Sequence, residues 1–271
     1  MSGRAMLVTG AGTGIGAAVA ERASAQGWQV VICGRRGALL DRVAARTGAR
    51  PIVADVTDQD AVAALVETVV AEFGRLDCVV ANAGTMTAGT VLDVAPAAWD
   101  LTLRTNLTSV YLLVRAALPQ LIAARGSLVA VSSIAALRAS SSAAAYAVSK
   151  AGLVMLAQTV ARDFGAAGVR ANVVCPGWVR TEMADEEMAE FGAPLGLDTE
   201  TAYAEVTRLV PQGRPAEPGE VAAAVTWLAG PDASYVNGAC LVVDGGTVLV
   251  DPGTVALDFS VTPRTQPGPA R

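Results

Sequence analysis

The chain has 271 residues, of which 52% are hydrophobic and 17% charged, and a net charge of −5. That length suits one large α/β domain or two small ones, and the acidic balance, with no basic run and no interleaving of aromatic and basic residues, argues against a nucleic-acid partner. Histidine is absent altogether, which removes Ser-His and Cys-His nucleophiles and the commonest transition-metal ligand, so no metal site is expected and acid–base chemistry falls to Tyr, Lys, Asp, Glu or Cys.

The four cysteines, Cys33, Cys78, Cys175 and Cys240, are isolated in or beside apolar runs. With no Cys-x-x-Cys pair they read as reduced core residues of a cytoplasmic protein. The N-terminus enters a strand directly, without the long apolar run of a signal peptide. No uninterrupted stretch reaches ~18 apolar residues, so no membrane span is expected.

In chain order, Ala5–Thr9 is a short apolar run followed by Gly10-Ala11-Gly12-Thr13-Gly14-Ile15-Gly16, and an Ala-rich helical pattern runs from about Ala17 to Gln26. Strand, glycine-rich turn and helix in this order present backbone N–H groups and a helix N-terminus to a phosphate. The spacing is G-x-x-x-G-x-G, through Gly10, Gly14 and Gly16, since Ile15 breaks G-x-G-x-x-G. Trp28–Cys33 reads as a second strand with Gly34-Arg35-Arg36 behind it, and no Asp or Glu occurs from Val30 through Leu40. An acid here would bind the ribose 2′-hydroxyl of NAD, whereas an arginine accommodates the 2′-phosphate of NADP, so Arg35 and Arg36 favour NADP(H) over NAD(H).

Pro51–Ala54 gives a third strand ending at Asp55-Val56, Gln59–Phe73 has helical apolar period, and Asp77–Ala81 is a fourth strand closed by Asn82-Ala83-Gly84. Strands alternating with helices make a parallel, doubly wound sheet, which binds ligands at the carboxyl ends of its strands, where Gly10, Arg35, Asp55 and Asn82 fall. A long helix is expected from Pro96 to about Ala124, and Asn106 midway in it marks a distortion or a polar task. Ser127–Val131 is a fifth strand with Ser132 and Ser133 at its end.

A helix to about Phe164 then carries Tyr146 and Lys150 one turn apart on one face. A phenol titrates near ~10. An ammonium ~4 Å away, at an effective dielectric of ~20, favours the phenolate by up to roughly 4 kcal/mol, which would bring the phenol down by as much as ~3 units. The pair is therefore a candidate proton-transfer device. Val169–Val174 is a sixth strand, closed by Cys175-Pro176-Gly177. Residues 178–215 lack a strand pattern and contain two short helices near Thr181–Phe191 and Thr199–Leu209, a candidate substrate lid. A last helix, Glu220–Ala229, and a last strand, Ala239–Val243, complete a domain over 1–250. The Pro-, Thr- and Gly-rich residues 251–271 are expected to be a poorly ordered tail or one that packs on a partner subunit.

These motifs, in this order, resemble the short-chain dehydrogenase/reductase family over roughly Arg4 to Gly246, closest in pattern to its ketoreductases. The family's T-G-x-x-x-G-x-G is matched by Thr9 through Gly16, its N-A-G by Asn82, Ala83 and Gly84, and its active-site Asn, Ser, Tyr and Lys by Asn106, Ser133, Tyr146 and Lys150. The separations of 27 residues from Asn106 to Ser133 and 13 from Ser133 to Tyr146 favour Ser133 over Ser132. The P-G segment is matched by Pro176 and Gly177.

The resemblance implies a Rossmann-type doubly wound parallel sheet of about seven strands with helices on both faces. It implies hydride transfer between a nicotinamide and a ketone or secondary alcohol, with Tyr146 as general acid or base, Lys150 lowering its pKa and binding the nicotinamide ribose, and Ser133 holding the reacting oxygen. Asn106 would position a water that links Lys150 to solvent. Asp55 and Val56 would contact the adenine, Asn82 would support the adenosine side, and Thr181, in the segment with Val179 after Pro176-Gly177, would bind the carboxamide. It also implies a homodimer or homotetramer. Trp178, Met183, Met188, Phe191, Leu195 and Leu197 suggest an apolar lid and a fairly apolar carbonyl or alcohol substrate, while the acids at 185–187 and 190 do not favour a strongly anionic one. An NAD-dependent alcohol dehydrogenase of the same family and a non-catalytic dinucleotide-binding regulator are the alternatives.

Overall fold

Seven short β-branched runs pair into one parallel sheet in the computed structural model, which describes residues 3–255. In chain order the strands are β1 (Ala5–Thr9), β2 (Gln29–Gly34), β3 (Arg50–Val53), β4 (Cys78–Ala81), β5 (Ser127–Val131), β6 (Arg170–Pro176) and β7 (Cys240–Val243). Their order across the sheet is β3-β2-β1-β4-β5-β6-β7. The chain thus winds outward from β1 one way and from β4 the other, which opens a crevice beyond the carboxyl ends of these two strands. This is the doubly wound architecture that the strand–helix alternation predicts.

Alternate residues of each strand enter opposite cores, as the period of two requires. On one face Leu7, Val79, Leu128 and Val173 meet α3 (Gln59–Phe73), α5 (Ser109–Ala124) and α6 (Ala144–Phe164). On the other Met6, Val8, Val80 and Val129 meet α1 (Gly14–Ala25), α2 (Gly37–Thr47) and α9 (Pro218–Ala229). The small Ala residues of α1 and α9 let these two helices lie close together over the sheet. All four cysteines are free thiols, three of them buried.

Two features differ from the sequence reading. Helix α2 was not anticipated there, although Leu40 and Val43 bury one face of it and Gly48, at φ 70°, ends it in the left-handed conformation that glycine tolerates. The single helix expected over 96–124 is interrupted: α4 (Pro96–Leu103) passes through a π-turn at Arg104–Thr108 before α5. The tail expected over 251–271 lies largely outside the described residues.

Two helical runs, Pro96–Ala124 and Ala144–Ala167, are long and apolar enough to cross a membrane by length and composition, with mean hydropathies of 1.5 and 1.2. Each lays one face on the sheet through buried residues such as Leu113, Ala117, Leu153 and Ala157. Their outer faces leave Tyr111, Val148 and Met155 exposed.

At the amino end of the sheet the buried Asp77 closes β1 against β4. Its Oδ2 accepts the Ala5 N–H at 2.8 Å and the Arg75 Nε–H at 2.7 Å. Its main-chain N–H donates to Ala5 O at 2.9 Å. Removing the carboxylate leaves a buried strand N–H unsatisfied, a loss of about 1–3 kcal/mol. Asp77→Ala is therefore expected to lower stability by about 2 kcal/mol in urea unfolding with the m-value unchanged.

Candidate active site

The crevice is organised by two side chains at the ends of β1 and β4. Thr9 Oγ1 accepts the N–H groups of Asn82 at 3.0 Å and Ala83 at 3.1 Å. The Asn82 amide answers by donating to Thr9 O at 3.0 Å and Gly10 O at 3.1 Å. These bonds fix the glycine turn against the neighbouring strand end. Gly10 has φ +64°, and a Cβ there would sit 2.7 Å from Ala83 Cα, so the turn passes too close to β4 for any other residue.

Helix α1 opens at Gly14, after Thr13, with no side-chain cap and no acid in its first turn. Its first N–H groups therefore face the crevice with the positive end of the helix dipole unneutralised, an arrangement suited to a phosphate. Gly14 also has positive φ, and a Cβ there would lie 2.9 Å from Thr181 Cγ2 across the crevice. A dinucleotide fits these residues: the turn is bare of side chains where a diphosphate would lie against it, and the cavity it opens into has a volume of about 590 Å3.

Gly10, Thr13, Gly14 and Ile15 line this cavity at one end, as do Arg35, Arg36, Asp55 and Val56. Asn82, Ala83 and Gly84 line it too, as do Tyr146 and Lys150, and Thr181 faces Gly14 across it. Most of the candidates from the sequence therefore line the cavity, whereas Asn106, Ser133, Gly16, Pro176, Gly177 and Val179 are not part of its lining. Gly16 lies under the turn, where a Cβ would meet Asn82 Nδ2 at 2.5 Å. Pro176 ends β6, Gly177 packs against Asp244 and donates its N–H to Val243 O, and Val179 is buried among the core residues. These three hold the segment that leads to Thr181 and do not face the cavity.

The two arginines behind β2 are not equivalent. Arg36 forms a bidentate pair with Glu182, at 2.9 Å and 2.6 Å, so its guanidinium is committed to the lid. Among the described residues Arg35 makes no ion pair or side-chain hydrogen bond, and its charge lies near the Asp55 carboxylate. That carboxyl is held below the usual range chiefly by the Thr57 N–H, 2.9 Å from Oδ1.

At the opposite end α6 brings Tyr146 and Lys150 together, one turn apart. The Lys150 ammonium is buried and donates to Val131 O at 3.0 Å. Burial pushes its pKa down to about 8. Its Nζ stands 5.6 Å from the Tyr146 ring centroid. Burial raises the Tyr146 phenol above its ordinary value, against a lowering by the Ser133 hydroxyl, and the Glu187 carboxylate adds to the rise. Desolvation is thus the dominant influence on the phenol.

Ser133 is the hydroxyl beside Tyr146. Its Oγ accepts the Ala135 N–H at 3.1 Å, whereas Ser132 Oγ donates to Lys150 O at 2.8 Å and serves the helix. Ser132, and not Ser133, is among the residues that line the cavity.

Asn106 is fully buried in the π-turn, whose extra residue swings the side chain inward from an otherwise continuous helix. Its Oδ1 accepts the Thr85 N–H at 2.8 Å. Its Nδ2 donates to Thr85 O at 2.9 Å and Ser149 Oγ at 3.0 Å, and Ser149 Oγ donates in turn to Tyr146 O at 2.7 Å. Both amide hydrogens are thus engaged, so a water at this position would be held through Oδ1 or main-chain carbonyls. Gly84 lies between Oδ1 and the Lys150 ammonium, where a Cβ would sit 3.3 and 3.4 Å from them.

The predicted lid is two helices, α7 (Glu182–Gly192) and α8 (Thr199–Val206). Thr181 caps α7, accepting the Ala184 N–H at 3.2 Å. Met188 and Trp178 pack with Ala184, Ala202 and Tyr203 into a small core of the lid itself, and Phe191 and Leu195 stay exposed. Of the six apolar residues proposed for the lid surface only Met183 lines the cavity, beside Glu182, Glu186, Glu187 and Glu190. The lid face is acidic, which the i, i+4, i+8 spacing of Glu182, Glu186 and Glu190 would have revealed once a helix was assigned.

A family model described as enoyl-(acyl carrier protein) reductase matches residues 10–248. Protein MoaE of Klebsiella aerogenes is 44% identical over 89% of this chain and 94% of its own. Meso-2,3-butanediol dehydrogenase of Serratia marcescens is 35% identical over 89% of this chain and 93% of its own. Among solved structures, a single-residue variant of actinorhodin polyketide ketoreductase with NADPH superposes with a TM-score of 0.86 at 32% identity, covering 90% of this chain and 97% of that one. The glycine turn, the strand order and these matches along nearly the whole length place the chain in the short-chain dehydrogenase/reductase family of nicotinamide dinucleotide oxidoreductases.

Proposed function

We propose that the protein is an NADP(H)-dependent oxidoreductase that interconverts a ketone and a secondary alcohol, with Tyr146 as the general acid or base. The observation that carries this reading is that Tyr146 and Lys150, one turn apart on α6, line the same cavity as the glycine turn at the start of α1. When bound, the nicotinamide supplies or accepts the hydride.

Each residue then has a task that its surroundings support. Tyr146 keeps its proton through neutral pH and delivers it to a carbonyl oxygen, or takes one from a hydroxyl in the reverse direction. Ser133 holds that oxygen by a second hydrogen bond. Lys150, with a pKa of about 8, exchanges protons near neutrality and can re-supply the phenol. Asn106 locks the first turn of α6 to Thr85 and so fixes where Tyr146 stands. Arg35 is the cation available for a 2′-phosphate, although Arg36 has been drawn to Glu182, and this commitment keeps NAD(H) as the second reading. The exposed apolar faces of α5 and α6 fit a homo-oligomer built across these helices, and free buried thiols fit a reducing, cytoplasmic setting.

Tyr146→Phe is expected to lower turnover of any accepted ketone by about 100- to 10,000-fold. Because the phenol sits above its ordinary value, alcohol oxidation by the wild type should climb with pH without a plateau below ~10. Unchanged turnover in the variant would sink the assignment.

Fluorescence titration separates the cofactors. Arg35→Asp should weaken NADPH by about tenfold or more while sparing NADH, as expected for the loss of a charge-assisted contact of about 1.5–3 kcal/mol. Glu182→Gln, which frees Arg36, should tighten NADPH. An Arg35 variant with undiminished NADPH affinity would turn the assignment to NAD(H).

Lys150 also has a signature in stability. Its folded-state pKa of about 8 lies below the unfolded value, so the charged form penalises the fold below pH 8 and the penalty fades as pH rises through that value. Lys150→Met is expected to lose activity yet gain about 2 kcal/mol at pH 7 after the lost bond to Val131 is counted. Urea unfolding at pH 7 and pH 9 should show the gain shrinking at the higher pH.

A further inference from the structure

Helix α7 carries five carboxylates between Glu182 and Glu190, and the structure divides them into two sets. Glu182 is paired with Arg36, and Asp185 accepts the Tyr203 hydroxyl at 2.8 Å. Glu186, Glu187 and Glu190 make no ion pair or side-chain hydrogen bond among the described residues, and these three line the cavity that contains Tyr146 and Lys150. Glu187 is the half-buried member and the one whose charge reaches the Tyr146 phenol. Its carboxyl is pushed above the usual range by burial and by Glu190. An unpaired, partly desolvated carboxylate costs free energy unless a cation comes to it.

No cation is paired with Glu187 among the described residues. Lys150 is buried and bonded to Val131 O, and Arg36, whose charge reaches Glu186, is committed to Glu182 at the start of α7. Met86, Ala88 and Leu101 add apolar lining to the same cavity. A substrate with its carbonyl at Tyr146 would therefore meet both hydrocarbon and negative charge.

We propose that Glu187 is a specificity-determining residue that receives a cationic group of the substrate, so that the favoured substrates are ketones or alcohols bearing an ammonium group. This deepens the oxidoreductase reading and rests on it. The same charge repels carboxylates and phosphorylated carriers from the reaction end of the cavity. Glu186 and Glu190 strengthen the local field, and Glu187 is the contact because it alone is both half-buried and near the phenol.

The test uses three methyl ketones of one chain length, ending in a trimethylammonium group, in its neutral tert-butyl isostere and in a carboxylate. Each is assayed with NADPH and NADH, and its binding to the cofactor-loaded protein is measured by calorimetry. The ammonium ketone is expected to exceed the tert-butyl ketone in kcat/KM by about tenfold or more, chiefly through KM, with the carboxylate poorest. In Glu187→Gln the ammonium-to-neutral ratio should fall towards one, and in Glu187→Asp most of it should return. A ratio near one in the wild type, or a ratio that survives Glu187→Gln, overturns the inference. If no ketone is turned over with either cofactor, the oxidoreductase reading fails by itself. The calorimetric preference for the ammonium probe, and its loss in Glu187→Gln, then still decides the charge recognition.

Discussion

A hydrogen-bonded seam between the ends of β1 and β4 is the constraint on which the cavity depends. The chain leaves β1 towards one side of the sheet and β4 towards the other, and nothing covalent joins the two ends. Thr9 and Asn82 close that gap with bonds to main-chain atoms only. The glycine turn is pressed against Ala83 at a distance that excludes any Cβ, and α1 is thereby aimed into the crevice. A phosphate-sized space is bounded by N–H groups on one side and by Thr181 on the other because this seam does not open.

The reacting end is organised by a different cost. Lys150 is an ammonium taken out of water, and its main-chain acceptor on β5 only partly compensates for lost hydration. Tyr146 is likewise desolvated and keeps its proton. Two groups that are ordinary at a helix surface become a weak acid and a near-neutral base by being buried between α6, β5 and the π-turn. The fold tolerates this cost because the rest of α6 is anchored by Leu153, Ala157 and Val160 in a continuous apolar core. Asn106 contributes by position rather than charge: its amide ties the start of α6 to the loop after β4.

Charge is distributed unevenly along the cavity, positive behind β2 and negative beneath the lid. The Arg36–Glu182 pair joins these regions and ties the lid helix to the loop after β2. An exposed pair of this kind contributes little stability, about 0–1 kcal/mol. Its consequence lies in which guanidinium remains free, and that bears directly on cofactor choice.

The order of strands and helices, the glycine turn and the Tyr146–Lys150 pair were legible because they depend on local rules: period of two in strands, glycine where φ is positive, and one-turn spacing on a helix. The full extent of α3 followed from the same reading. Other properties depend on what stands opposite a residue, which spacing alone cannot supply. The commitment of Arg36 to Glu182 joins residues 146 positions apart. The π-turn at Asn106 exists because Thr85 and Ser149 converge on that amide from two other elements. Of the lid residues read as apolar, Trp178 and Met188 pack in the lid's own core and Phe191 and Leu195 stay exposed, so its acids face the cavity. The sequence by itself determined which groups this protein can use for chemistry, because side-chain type and local conformation are written there. Only the tertiary structure decided their protonation and their partners, because desolvation and pairing are set by the whole chain packed around them.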